Sequence, residues 1–254
     1  MKKEIIVGLH SIVQALHNEE RGDFNLYGTE EGISKIRKEV KSFDHFFNHS
    51  TLKIFDSNHD FQTFSKKTFC DFGYKHSRVI NGVFLICSAK KFIQVGEVFD
   101  KLKDTKKLKI IVLDQVTDPQ NAAAVVRTAA FYGTDYLILP GRSSSAHSPG
   151  FYRTSSGGAE HLKIIYVSNL SRFISRCNDL GAICIGFTEH IKKEVCKEET
   201  INKNVVLVLG NEEKGISNAV MRNIHVFSSF KGSGKIKSLN VSVASAIAME
   251  KFFG

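Results

Sequence analysis

The second half of the chain alternates short, almost wholly apolar runs with stretches of helical periodicity. From residue 108 onward the apolar runs are KIIVLD, YLILP, KIIYVS, AICIGF and VVLVLG. Short runs of Val, Ile and Leu separated by helices are typical of parallel strands that helices cover on both faces. The sequence therefore predicts an α/β fold with a parallel sheet, and ligands of such sheets bind at the carboxyl ends of the strands.

Residues 1–88 have a different pattern, which predicts a separate and smaller α/β unit. A helix with Ile12 and Leu16 on one side follows the opening apolar run, and short strand candidates end with INGVFLIC. Residues 89–107 are rich in lysine and carry one apolar stripe. We therefore expect a front domain over 1–88, a basic linker helix over 89–107 and a larger domain over 108–254.

Charge and cysteine content restrict the class of protein. The net charge of +9 suits a polyanionic partner such as RNA, although a soluble basic protein without such a partner would have the same composition. The five cysteines form no CxxC pair, which indicates reduced thiols and neither a disulfide framework nor a zinc site. No apolar run approaches the ~20 residues of a membrane span, so we expect a cytoplasmic protein without a membrane partner.

One pair of histidines has the spacing of metal ligands on a helix. His45 and His49 are four residues apart, but the residues between them lack the glutamate of a zinc protease motif. We therefore expect no metal.

The last part of the chain, SLNVSVASAIAMEKFFG, joins a polar turn to a helix. Asn240 or Ser242 can cap the first free N–H groups of that helix. Small side chains recur with helical spacing at Val241, Ala244, Ser245 and Ala248. Such a face lets another backbone approach closely, so we expect it to be buried against the domain or a second subunit. An ordinary C-terminal core helix would show the same pattern.

Two further segments follow predicted strands. After KIIVLD, Asn121 can cap a helix and Arg127 follows in its second turn. An arginine at this edge suits a phosphate, although a surface arginine lying over Phe131 would give the same sequence. After VVLVLG, Gly210 allows a ligand to approach the backbone, and Glu212 can accept hydrogen bonds.

Several common catalytic motifs do not occur in the sequence. It contains no GxGxxG and no GxSxG, and KGSGKIKS does not match the phosphate-binding loop GxxxxGK[ST]. These absences argue against dinucleotide-dependent redox chemistry, a serine hydrolase and a P-loop nucleotidase.

The three segments together resemble a known family. DPQNAAAVVRTA, LVLGNEEKGIS and SLNVSVASAIAMEKF are similar, in order and spacing, to the three motifs of the SpoU (TrmH) family of S-adenosylmethionine-dependent RNA ribose 2′-O-methyltransferases. IVGLHSIVQALHN and INGVFLIC resemble the L30e-like substrate-binding domain of members that methylate guanosine in 23S rRNA. The resemblance implies a Rossmann-like parallel sheet with a deep C-terminal trefoil knot, a homodimer and an RNA substrate, with S-adenosylmethionine as cofactor and no metal.

The family's functional residues transfer to this chain by motif position. The catalytic residues so implied are Asn121, Arg127, Glu212, Ser238 and Asn240. The cofactor-binding residues so implied are Leu209, Gly210, Asn211, Phe230 and Leu239. This chain has Ala123 and Glu213 where the family commonly has glycine, and Phe230-Lys231 where it commonly has Ile-Pro. We expect these departures to change the detailed shape of the cofactor pocket more than the reaction.

The resemblance leaves the role of Arg127 and the substrate open. Arg127 is either the general base for the ribose hydroxyl or an anchor for a phosphate that also polarises the hydroxyl, and the second role suits an arginine because its guanidinium holds its proton strongly. The expected substrate is large-subunit rRNA. The alternatives are a tRNA methyltransferase of the same family and an RNA-binding assembly factor that has lost catalysis. The third would be expected to lack Arg127, Glu212 or Asn240, which are all present.

Overall fold

A computed structural model describes residues 2–47, 50–75, 78–91, 93–141, 147–188, 195–230, 232–235 and 238–254. His49 and Lys231, which entered the sequence predictions, lie outside these residues. The chain forms two compact units. We call residues 1–91 with 145–160 the front unit, and residues 92–144 with 161–254 the second unit.

The strands of the described residues are β1 (Lys3–Val7), β2 (Asn25–Thr29), β3 (Thr51–Phe55), β4 (Val83–Ser88), β5 (Lys109–Leu113), β6 (Tyr136–Pro140), β7 (Lys163–Val167), β8 (Ile183–Phe187), β9 (Val205–Leu209) and β10 (Val226–Ser228). The α-helices are α1 (Leu9–His17), α2 (Glu30–Glu39), α3 (Asn58–Asp71), α4 (Val95–Asp104), α5 (Pro119–Phe131), α6 (Pro149–Ser155), α7 (Gly158–His161), α8 (Leu170–Asp179), α9 (Asn218–Met221) and α10 (Val241–Phe253). Short 3₁₀ helices span Phe43–Phe47 and Lys197–Thr200.

The front unit contains a mixed four-stranded sheet in the order β1-β4-β2-β3. The β1/β4 and β2/β4 pairs are antiparallel and the β2/β3 pair is parallel. Aromatic and branched side chains of β1, α3 and β4 form a core against this sheet, including Ile5, Phe61, Phe69 and Phe84. The predicted small α/β unit is therefore present, while its assignment as an L30e-like RNA substrate-binding domain stays a prediction.

A buried ionic cluster joins the two chain segments of the front unit. Arg21 donates a hydrogen bond from Nη1 to Glu4 at 2.7 Å. It donates two more to Glu160, from Nη2 at 2.8 Å and from Nε at 3.0 Å. The Tyr152 hydroxyl donates to Glu4 at 2.7 Å. The Arg21 side chain has no exposed surface. Because Glu160 and Tyr152 come from the second segment, the cluster holds α6 and α7 to β1 and α1.

The second unit contains six parallel strands in the order β10-β8-β9-β5-β6-β7. One face packs against α4, α8 and α9, whose buried side chains include Val98, Phe173 and Val220. The α5 and α10 helices pack against each other, and α10 also contacts β9. The predicted α/β class with a parallel sheet, preceded by a smaller α/β unit, is confirmed.

The division of the chain differs from the predicted domains in two places. The predicted linker over 89–107 contains α4, whose Val98 and Leu102 are buried in the core of the second unit. Residues 145–160, which were assigned to the larger domain, belong to the front unit. The first difference arises because the apolar side chains of α4 pack into the core of the second unit, so α4 is part of that unit and not a linker. The second depends on the buried ionic cluster, which sequence periodicity does not reveal.

The sequence predicted the N-terminal cap of α10 correctly and that of α5 incorrectly. Asp118, and not Asn121, caps α5, because its side chain accepts from Gln120 N at 2.8 Å and Pro119 takes the first helical position. Asn240 caps α10 as expected, since its Oδ1 accepts from Ser242 N at 2.9 Å.

Most of the small-residue face of α10 is buried within the chain itself. Val241, Ser245 and Ala248 are at most 2% exposed, whereas Ala244 is half-buried. The apolar residues that α10 leaves exposed are Val243 and Ile247, at 48% and 43%. The small-residue face is therefore buried mainly within the chain, which is one of the two outcomes expected from the sequence, and the exposed apolar residues of α10 lie outside that face.

Candidate active site

The site begins where the central strands β5 and β9 end side by side. The two strands pair from Lys109 with Val205 to Leu113 with Leu209, and Asp114 N then donates to Leu209 O at 2.8 Å. The loop after β9 turns back at once, since Asn211 and Gly215 exchange backbone hydrogen bonds of 3.1 and 2.8 Å. A Cβ on Gly210 would overlap the backbone of Gly215. Only glycine allows this turn, which sets the position of the following residues.

Asn211 holds the loop in shape. Its Oδ1 accepts from Glu213 N at 2.9 Å and from Lys214 N at 3.2 Å, while its Nδ2 donates to Gln115 O at 3.3 Å. These bonds tie the loop after β9 to the loop after β5. The side chain of Asn211, predicted to contact the cofactor, thus has a structural task as well.

Glu212 is the point at which the three motifs meet. Its Oε1 accepts from Asn121 Nδ2 at 2.9 Å, from Asn240 Nδ2 at 3.3 Å and from Val241 N at 3.2 Å. Asn240 Nδ2 also donates to Asn121 Oδ1 at 3.0 Å. The carboxylate lies at the N-terminus of α10, where the free N–H groups and the helix dipole favour a negative charge. We call Asn121, Glu212 and Asn240 the amide-carboxylate cluster.

The cluster is accessible from solvent. Asn121 and Glu212 are half-buried and Asn240 is exposed. A ligand hydroxyl can therefore replace one hydrogen-bond partner within the cluster without disturbing the buried core. Asn240 has a second partner on its oxygen side, since Ser242 Oγ donates to Asn240 Oδ1 at 2.5 Å.

The remaining residues of the predicted catalytic set lie outside the hydrogen bonds of the cluster. Arg127 is exposed on α5 and has neither a hydrogen bond nor an ion pair with any described residue. Ser238 is exposed two residues before Asn240, the cap of α10. The structure thus brings Asn121, Glu212 and Asn240 together, whereas Arg127 and Ser238 have no hydrogen bond or ion pair with another described residue. The catalytic roles of all five residues stay predictions.

The predicted cofactor residues form apolar surfaces and backbone edges at the same end of the sheet. Leu209 is the buried last residue of β9 and Gly210 follows it. Phe230 lies after β10 and stacks on Phe187, the last residue of β8, with ring centroids 5.1 Å apart. Leu239 is 43% exposed before α10. An aromatic pair and an exposed leucine beside strand ends fit the nucleoside of the expected cofactor, and binding by these residues stays a prediction.

Sequence reasoning missed two residues that support the site. Asp114 is 5% exposed, and its Oδ2 accepts from Ser217 N at 2.7 Å, which fixes the far end of the loop after β9. Gln115 has a positive φ of 59° and offers its carbonyl to Asn211. The signal for Asp114 was present, because a carboxylate that directly follows a buried strand needs a hydrogen-bond donor.

Metal-ion clusters and membrane-spanning helices do not occur in the described part of the chain. There, no group of three His, Cys, Asp or Glu side chains is arranged to hold a metal ion. None of the helices described has the length and apolar character to cross a membrane.

Comparison with known proteins gives the family. Residues 109–250 match the model of the SpoU rRNA methylase family. A protein of Borreliella burgdorferi described as a tRNA/rRNA methyltransferase is 35% identical over 154 residues, which are 59% of this chain and 67% of that protein. The 23S rRNA (guanosine-2′-O-)-methyltransferase RlmB of Acinetobacter baylyi is 32% identical over 149 residues, which are 58% of this chain and 60% of that enzyme.

The fold extends the likeness over both units. The SpoU methyltransferase AviRb of Streptomyces viridochromogenes, solved in complex with AdoMet, superposes with a TM-score of 0.73 over 98% of this chain and 88% of AviRb, at 17% identity. The match of residues 109–250 to the family model confirms the resemblance recognised from the three motifs. The chain belongs to the SpoU rRNA methylase family, a family of RNA methyltransferases.

Proposed function

We propose that this protein transfers a methyl group from S-adenosylmethionine to a ribose 2′-hydroxyl of RNA. The observation that carries the proposal is the amide-carboxylate cluster, in which one residue from each of the three motifs meets at the carboxyl end of the sheet. Its half-exposed amides and carboxylate suit the binding of a hydroxyl group.

Each residue of the cluster has a task in this reaction. Glu212, held by two amides and the Val241 N–H, keeps Asn121 and Asn240 in fixed orientations. We expect Asn240 to orient the ribose hydroxyl, together with Ser238 two residues earlier in the chain. Holding the hydroxyl in line with the methyl group supplies the main part of such catalysis, since orientation alone can be worth ~7–11 kcal/mol.

Arg127 anchors a phosphate next to the target nucleotide and polarises the hydroxyl. It is exposed and unpaired among the described residues, so its charge is available to the RNA backbone. A neighbouring phosphate strengthens the hold of the guanidinium on its proton, which favours the anchor over a general base. The guanidinium still donates hydrogen bonds that stabilise negative charge on the attacking oxygen, and the hydroxyl proton passes to solvent water, to which the cluster is open.

The cofactor supplies a methyl group on a positively charged sulfur. Gly210 and Leu239 offer backbone edges to it, and Phe187 with Phe230 and the exposed Leu239 side chain offer apolar surface to its nucleoside. Exclusion of water by these apolar groups strengthens the hydrogen bonds that orient the hydroxyl.

We propose large-subunit rRNA as the substrate. The support is the family match and the RlmB enzyme of Acinetobacter baylyi, whose name specifies a 23S rRNA guanosine. The net charge of +9 suits a long polyanion. We place the reaction in the cytoplasm, where the five free cysteines stay reduced.

We also propose a homodimer, formed through the exposed apolar residues of α5 and α10. Phe131 is 82% exposed at the end of α5, and Val243 and Ile247 lie on α10. Exposed apolar side chains on two helices that pack against each other favour a protein interface. Ile247→Glu is expected to give monomers by light scattering, whereas Glu250→Gln on the same helix is not. A dimeric Ile247→Glu variant would exclude this surface.

A methyl-transfer assay tests the function. Purified protein with S-[methyl-³H]adenosylmethionine is expected to label deproteinised large-subunit rRNA, with the label on a ribose after nuclease digestion and mass analysis. Labelling of tRNA alone would replace the proposed substrate, and labelling of a base would overturn the proposed reaction. Arg127→Ala should abolish transfer while calorimetry shows unchanged binding of S-adenosylhomocysteine.

A further inference from the structure

The front unit has a shallow cavity that carries two arginines. It lies where the turn from β1 to α1, the turn before β4 and the helix α6 come together, and its lining includes Gly8, Arg78, Ile80, Asn81, Gly150 and Arg153. None of the residues that line it is acidic. The cavity therefore has a positive charge that its own walls do not neutralise.

The arginines of the cavity differ from the other arginines of the front unit. Arg21 is bound by Glu4 and Glu160, and Arg37 lies 3.8 Å from Asp44. Arg78 and Arg153 are exposed, and neither forms a hydrogen bond or ion pair with any residue that the structure describes. Both arginines line one cavity, and their side chains are available to an anionic ligand.

The turn that carries Arg78 is held rigidly. The side-chain amide of Gln62 clamps Val79 from both sides, accepting from Val79 N at 3.2 Å and donating to Val79 O at 3.1 Å. Gly82 N closes the turn onto Val79 O at 3.2 Å, and Thr29 N donates to Gly82 O at 2.8 Å. Because the backbone is fixed, little conformational entropy is lost when this turn binds a ligand.

The helix that carries Arg153 is fixed just as firmly. Its neighbour Tyr152 belongs to the buried ionic cluster, and Ser11 Oγ donates to Tyr152 O at 2.6 Å. Gly8 has a φ of 97°, a backbone conformation that favours glycine. The turn before α1 lies in contact with α6, since a Cβ built on Gly8 would be 3.4 Å from Arg153 Cα. Gly8 has no side chain to cap α1, and the first turn of α1 contains no acidic residue. The partial positive charge at the N-terminus of α1 is therefore not neutralised by a side chain of the helix and lies at the cavity.

The cavity also has an apolar element. Ile80 is 77% exposed between Arg78 and Asn81 at the tip of the turn. A free inorganic phosphate would gain nothing from this side chain, whereas the ribose or base attached to a phosphodiester would cover it. The combination favours a polynucleotide over a small anion.

We propose that this cavity is an RNA-binding site of the front unit, in which Arg78 and Arg153 hold one phosphodiester group and Ile80 contacts the adjoining nucleoside. The proposal rests on the proposed function, because it supposes an RNA substrate. It gives the front unit a defined contact with the substrate, separate from the amide-carboxylate cluster.

The test compares three variants with the wild-type protein in binding deproteinised large-subunit rRNA, measured by filter binding over a range of salt concentrations. Arg78→Gln/Arg153→Gln is expected to bind about 10- to 100-fold more weakly and, because one phosphate contact is lost, to lower the salt slope by about 1. Ile80→Ser should weaken binding with an unchanged salt slope. The control, Arg37→Gln/Lys38→Gln, removes two positive charges from α2 and should have little effect.

Two further readouts separate this proposal from the proposed function. In methyl transfer the arginine double variant should raise the KM for RNA and keep kcat at saturating RNA, and its binding of S-adenosylhomocysteine should be unchanged. If the wild type methylates RNA and the arginine variant binds RNA no more weakly than the α2 control, the cavity is not the site and the function stands. If the wild type binds rRNA with the predicted dependence on Arg78 and Arg153 but methylates none, the cavity stands and the proposed function fails.

Discussion

The two polar clusters of this protein have similar hydrogen bonds and opposite accessibility. The buried ionic cluster of the front unit joins Arg21 to Glu160, which are 139 positions apart in the chain. The amide-carboxylate cluster joins Asn121 to Glu212, which are 91 positions apart. The first is sealed inside the unit, and the second opens to solvent at a strand end. The buried ionic cluster therefore has a structural role, whereas the amide-carboxylate cluster is accessible to a substrate.

The difference in role follows from the free-energy cost of exchanging a hydrogen-bond partner in each cluster for a ligand. Burial alone would lower the pKa of the Arg21 guanidinium, but its hydrogen bond to Glu160 and its electrostatic interactions with Tyr152, Glu160 and Cys87 outweigh burial and raise that pKa. A buried charge cannot exchange its partner for a ligand without a large desolvation penalty. Amides at the surface exchange partners at little cost.

The largest expected effect is on the stability of the front unit. Arg21→Met leaves Glu4 and Glu160 buried without their partner, so the free energy of unfolding should fall by about 3–5 kcal/mol. Hydrogen exchange should show the loss in peptides of residues 2–47 and 147–160. The triple change Arg21→Met/Glu4→Gln/Glu160→Gln removes every charge of the trio and should recover most of the loss. A single variant as stable as the wild type would show that the cluster opens to water.

A smaller effect is expected at the amide-carboxylate cluster, and there it should fall on activity. Glu212→Gln replaces the shared acceptor by an amide and should lower kcat for methyl transfer by about 100-fold, as the loss of a preorganised catalytic contact typically does. The melting temperature should change little because the residue is half-exposed. Glu213→Gln is the matched control on the same loop. A melting temperature lowered as far as in the Arg21 variant would mean that the two clusters do not differ in role.

The smallest expected effect is on the rate of cysteine labelling, which measures how well the buried ionic cluster excludes solvent. Burial raises the pKa of Cys87 to about 12, and its Sγ lies 3.7 Å from Arg21 Nη1. At pH 8 the thiol is protonated, so iodoacetamide should label the exposed Cys70 and Cys196 and spare Cys87. Mass spectrometry after timed labelling measures this. Labelling of Cys87 at the rate of Cys70 would contradict a closed cluster, and the Arg21→Met variant should show that faster rate.

The parts of the fold that could be predicted from sequence depend on local patterns. The strands of the second unit were visible as apolar runs, and Asn240 as the cap of α10 followed from its place before a helical pattern. Asn121, Glu212 and Asn240 were found through motifs, and their meeting at one point follows from parallel strands that end at one edge. The cap of α5 was misjudged although Asp118 before Pro119 carries the usual signal.

The parts that could not be predicted depend on pairs of residues far apart in the chain. Nothing in the local sequence of residues 145–160 indicates that Glu160 and Tyr152 complete a cluster with Arg21 and Glu4. The same holds for Asp114, whose partner is Ser217. A practical consequence is that deleting residues 1–88 would expose the buried side chains of α6, so a test of the second unit alone must also replace 145–160.

The two-segment construction of the front unit also has a consequence for the order of events during protein synthesis. Arg21 leaves the ribosome 139 residues before Glu160, which at ~5–20 residues per second is about 7–28 s. During that interval the first strands and helix are present but their ionic core lacks one of its two carboxylates. Domains usually fold in order from the N-terminus as they emerge. In this chain the N-terminal unit closes only after β5, α5 and β6 of the next unit have been made, so the two units must mature together.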